Sequence, residues 1–110
     1  MSPVLLIVVA LAASAPADPR YCSTAPVRAT DGRIARSPAV VHEFKRLHPC
    51  PATGAATGSC PGWQVDHVIP LACGGCDAIG NMQWLPVQIK SASGVYAKDR
   101  WERRVYSCPS

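Results

Sequence analysis

Asp66 and His67 stand side by side in the stretch GWQVDHVIPLACGGCDAIGNMQWLP, residues 62–86. An imidazole titrates near neutrality and is the natural side chain to take a proton from water. A carboxylate is a hard oxygen ligand for a divalent cation. Neighbours on an extended segment point to opposite sides, so such a pair can serve a proton and a cation together. The same dipeptide also suits a buried acid–imidazole pair beside a stapled turn. Pro70, Gly74, Gly75, Asn81 and Gln83 follow closely. Further on come the bases Lys90, Lys98, Arg100, Arg103 and Arg104, with the acid Asp99 among them.

The elements that must position these residues are short. Trp63 to Leu71 carries Val65, Val68, Ile69 and Leu71 and reads as a strand entering a turn, which Gly74-Gly75 punctuates. NMQWLP is a second short strand. From Val87 the chain turns helical, is interrupted at SASG and resumes as VYAKDRWERRVY. Upstream, Asp31-Gly32 marks a tight bend before the short segment RIAR. Ser37-Pro38 then forms a helix start, Ser as N-cap and Pro in the first turn. That helix, PAVVHEFKRLH, sets Val40, Val41, Phe44 and Leu47 on one face, and Pro51 lies beyond its end. His42 and His48, on or beside it, read as surface histidines.

At 110 residues the chain is one domain at most. Val4 to Ala13 is an uncharged apolar run, too short to span a bilayer and suited to a signal-peptide core, with cleavage expected after Ala17. All 11 basic and 7 acidic residues lie beyond that point, a net charge of +4. This suits a polyanionic partner without demanding one. A domain this small needs staples, and an even six cysteines in a secreted chain read as three disulfides. Cys50 and Cys60 are the most natural pair, bracketing PATGAATGS; closing that loop contributes about 2–3 kcal/mol in the chain-entropy model. Cys22 and Cys108 sit near the two mature ends and are placed to tie them. Cys73 and Cys76 then either close on each other or exchange partners with those two.

Asp-His-x-x-Pro, then Gly-Gly, then Asn81 fourteen residues after His67, then NMQWLP and a Lys/Arg-rich helix resemble the His-Asn-His (HNH) endonucleases of the ββα-metal superfamily. The KDRWER ending is similar to small secreted bacterial members. The resemblance implies an α+β fold: a signal peptide at 1–17, an N-terminal extension with one helix at 18–61, a disulfide-stapled ββα-metal core at 62–106 and a tail at 107–110. It implies a secreted or periplasmic endonuclease that hydrolyses DNA or RNA phosphodiesters with little sequence preference, using one divalent ion, Mg²⁺ or Mn²⁺ ahead of Zn²⁺. His67 would be the base, Asp66 a metal ligand, and Asn81 would brace the loop and orient the base. Nucleic acid is then the partner, DNA first, with no membrane contact once the signal is removed. An immunity protein is compatible with this class but not readable.

The chain departs from that pattern at Lys90, nine residues after Asn81, where the family has a His or Asn ligand. A protonated lysine cannot ligate a metal. Asp99 is the expected substitute ligand and Asp77 a second candidate. Lys90, Lys98, Arg100, Arg103 and Arg104 then hold substrate phosphate without reading sequence, or form a plain solvated face. Two other functions compete. One is a zinc module using Cys73, Cys76, Cys50 and Cys60. The other is an inactive, disulfide-rich nucleic-acid-binding protein on the same fold.

Overall fold

The computed structural model describes residues 3–5, 17–23, 25–91, 97–106 and 108, without the side chains of Ser91 and Asp99. Most of the apolar run before Ala17 and the interruption within residues 92–96 lie outside the described residues. The described part is a small α+β fold held by three disulfides. Its centre is an antiparallel pair, β1 (Trp63–His67) and β2 (Met82–Pro86), with Asp66 opposite Gln83 and His67 opposite Met82. Helix α1 (Pro38–Leu47) precedes the pair, and α2 (Val87–Ser91) and α3 (Lys98–Val105) follow it.

β1 stops four residues short of the predicted Leu71. The reason is a competing partner. Val68 N–H still bonds the Asn81 carbonyl at 2.8 Å. Beyond it, the Asn81 side-chain amide takes both the N–H and the carbonyl of Ile69, and Pro70 has no N–H to offer. A single 3₁₀ turn at Leu71–Cys73 follows and ends in Gly74, whose φ of 92° favours glycine. Gly75 is required for space: a Cβ there would lie 2.0 Å from the Ile69 carbonyl oxygen.

Helix α1 begins where Ser37-Pro38 predicts, but the Ser37 hydroxyl does not cap it. Instead the Ser37 backbone N–H bonds the Asp77 carboxylate at 2.6 Å, which fixes the helix start to the loop before β2. Of the predicted apolar face only Phe44 is buried, against Trp84 and His48, and Leu47 is exposed. Trp84 Nε1 bonds the His48 carbonyl and anchors the other end. His42 and the His48 side chain are exposed as expected.

The bridges are Cys50–Cys60, Cys22–Cys76 and Cys73–Cys108. Cys50–Cys60 is the expected pair; of the two arrangements for the other four, the exchanged one is realised. Cys22 N–H bonds the Gly74 carbonyl and Cys76 N–H bonds the Arg20 carbonyl, so the N-terminal strap runs against the turn and is already beside Cys76. Within that strap the Arg20 guanidinium bonds Asp18 and holds its carboxyl down at about 2. Three disulfides fit an oxidising compartment. Among the described residues, no helix is long and apolar enough to cross a membrane.

Candidate active site

Asp66 and His67 lie at the end of β1, where the pair meets the turn and the two C-terminal helices. Both line a cavity of about 230 Å³ together with Arg36, Lys90, Glu102 and Arg103. Sequence neighbours thus reach one cavity although they leave the strand on opposite sides.

His67 is held by an acid. Its Nε2 lies 2.9 Å from Asp77 Oδ1, and the other Asp77 oxygen accepts the Ser37 N–H. An ionised carboxylate only accepts, so Nε2 donates this bond, which in a neutral ring puts the lone pair on Nδ1. Asp77, the second metal-ligand candidate, is therefore the partner of the imidazole. Its signal in the sequence is weak, because ten residues and a disulfide-bound turn separate it from His67.

Asp66 is 4% exposed and has cationic company. The Lys98 ammonium donates to Oδ2 at 2.7 Å, the cross-strand Gln83 amide donates to the same oxygen at 3.1 Å, and Lys90 Nζ stands 3.4 Å from Oδ1. Lys98 Nζ also donates to the His67 carbonyl at 2.6 Å and faces Glu102 at 3.2 Å. Lys98, expected on a phosphate-binding or solvated face, has a side chain only 3% exposed. The reason is the buried carboxylate, which needs a counter-charge. Lys90 reaches the same carboxylate and the Val65 carbonyl while keeping a wall of the cavity.

Asn81 is 1% exposed and its amide is fully engaged: Oδ1 accepts from Ile69 N, and Nδ2 donates to the Ile69 and Cys76 carbonyls. It braces the loop that carries Asp77 and does not line the cavity that His67 and Asp66 share. Arg100, Arg103 and Arg104 are all exposed, and of the three only Arg103 lines the cavity. The Asp99 side chain lies outside the described residues, so its expected ligand role is not placed. Arg36 and Glu102 escaped the sequence reading. Glu102 had one usable signal, its position four residues after Lys98; the register of the strands sets Gln83 opposite Asp66.

At Asp66 the place a divalent ion would take is held by ammonium groups. Both Asp66 oxygens face ammonium groups. No group of three His, Cys, Asp or Glu able to hold a metal occurs among the described residues. No buried side-chain nitrogen or oxygen there lacks a partner. The six cysteines are all in disulfides and offer no thiolate to zinc. No protein-family model, curated protein or solved structure matches the chain.

Proposed function

We propose that the protein is a secreted or periplasmic phosphodiester hydrolase of the HNH kind acting on nucleic acid, DNA first, through His67. The observation that carries this is the Asp77–His67 pair at a cavity walled by Lys90, Arg36 and Arg103. Asp77 fixes the ring and steadies the imidazolium that forms once a proton is taken. His67 removes a proton from water as the water oxygen attacks phosphorus, and the leaving oxygen departs with the bonding electrons and is protonated from solvent. Lys90, Arg36 and Arg103 supply positive charge for the phosphate as negative charge grows on it. These are backbone contacts, so they give little sequence preference. The ββα order of residues 62–106 and the apolar run before Ala17 support the same reading.

Plasmid nicking by the purified oxidised protein tests it. His67→Ala should lower the rate by about 10²–10⁴-fold, the usual contribution of a general base, with circular dichroism unchanged. Asp77→Asn should lower it less and shift the pH profile. Full nicking by pure His67→Ala protein would refute the assignment.

A further inference from the structure

The Lys98 ammonium sits among three oxygens: Asp66 Oδ2, Glu102 Oε2 and the His67 carbonyl. Two carboxylates and a carbonyl are the hard donors that a small divalent cation selects. An ammonium has three N–H donors, and here each has an oxygen within reach. Helix propensity does not explain this placement. Lys98 is the first residue of α3, where the helix dipole disfavours a cation. Its order with Glu102, lysine first, is the weaker orientation of an i,i+4 pair. What places it is the carboxylate of Asp66, and the side chain is nearly sealed there.

We infer that the Lys98 ammonium is the resident cation of the Asp66 site, a tethered replacement for a divalent ion, so that hydrolysis at His67 proceeds without a metal. The inference rests on the proposed hydrolase reading of the site. Lys98 is a positioning residue: it neutralises Asp66 and pins the His67 backbone, while Lys90, on the cavity wall, is the cation that meets phosphate. A divalent ion could bind Asp66 only by expelling one ammonium and sitting beside another.

The decisive measurement is Mn²⁺ binding to the oxidised protein, followed by the paramagnetic signal of free Mn²⁺, beside plasmid nicking in EDTA. Wild type should take up no Mn²⁺ up to about 1 mM, the weak end of the range of carboxylate sites. Nicking should persist in EDTA. Lys98→Ala, stripped of its ammonium, should bind Mn²⁺ at least about tenfold more tightly than wild type, and Mn²⁺ should raise its melting temperature. If that variant does not fold, the wild-type titration decides alone. Stoichiometric Mn²⁺ uptake by wild type that is lost in Asp66→Ala would overturn the inference, as would abolition of nicking by EDTA. Absence of nicking with every cation and in EDTA would count against the hydrolase reading only, and the Mn²⁺ titration would still decide the occupant of the Asp66 site.

Discussion

The amide of Asn81 satisfies three buried backbone groups, and the loop between the strands depends on it. Removing it in Asn81→Ala leaves the Ile69 N–H and two carbonyls buried without partners. Each orphan costs on the order of 1–3 kcal/mol, and because they share one site the expected total is about 3 kcal/mol. Urea unfolding should show a lowered midpoint with little change in slope. Asn81→Asp is expected to be no better, since a carboxylate would face the Ile69 and Cys76 carbonyl oxygens. Nicking by folded Asn81→Ala should fall through loss of loop geometry, which moves Asp77 away from His67. Two kinds of polar group therefore meet near the cavity. Asn81 holds backbone, whereas His67 has its Nε2 bound by an acid, and in the proposed reaction Nδ1 takes the proton from water.

At the level of elements, one buried ring and two polar tethers join α1 to the strand pair and the loop before β2. Phe44 packs on Trp84, the Ser37 N–H reaches Asp77, and Trp84 Nε1 reaches the His48 carbonyl. Phe44→Ala should cost about 3 kcal/mol, at the lower end for a buried aromatic because the helix is otherwise little buried. Thermal unfolding would show this, and a loss under 1 kcal/mol would mean that the tethers alone dock the helix. The elements were largely legible in the sequence. Ser37-Pro38 marked the helix start, and Asn81 with the Gly-Gly pair marked the turn and second strand. The end of β1 was not, because the Asn81 side chain, twelve residues beyond Ile69, terminates it. The partners in the site were legible only in part. Asp66, His67 and Lys90 announce themselves by type and spacing and do share one cavity. The burial of Lys98 could not be read, since a lysine in KDRWERR looks solvated until the strand pair places Asp66 beneath it.

For the whole molecule, the turn at Cys73–Cys76 is the common anchor. One of its cysteines holds the N-terminal strap and the other holds the end beyond α3, so the two arms that flank the cavity converge on four residues. This wiring dictates an order of events when the reduced chain oxidises. The two native bridges to the turn span separations of 54 and 35 residues, while Cys50–Cys60 spans 10. Cys73 and Cys76, with two glycines between them, meet far more often than either meets its final partner, because the entropy of closing a loop grows with its length. A local Cys73–Cys76 bridge should therefore form early and then be undone by thiolate attack from Cys22 or Cys108. Acid quenching, alkylation and peptide mapping during reoxidation should reveal that species before the native pairs, and a disulfide isomerase should shorten its life. Native bridges arising with no such precursor would show that the folded strap and helix deliver their cysteines first. Maturation of this chain thus becomes a race between the shortest reach and the correct one, and it should be slow wherever disulfides can form but cannot be exchanged.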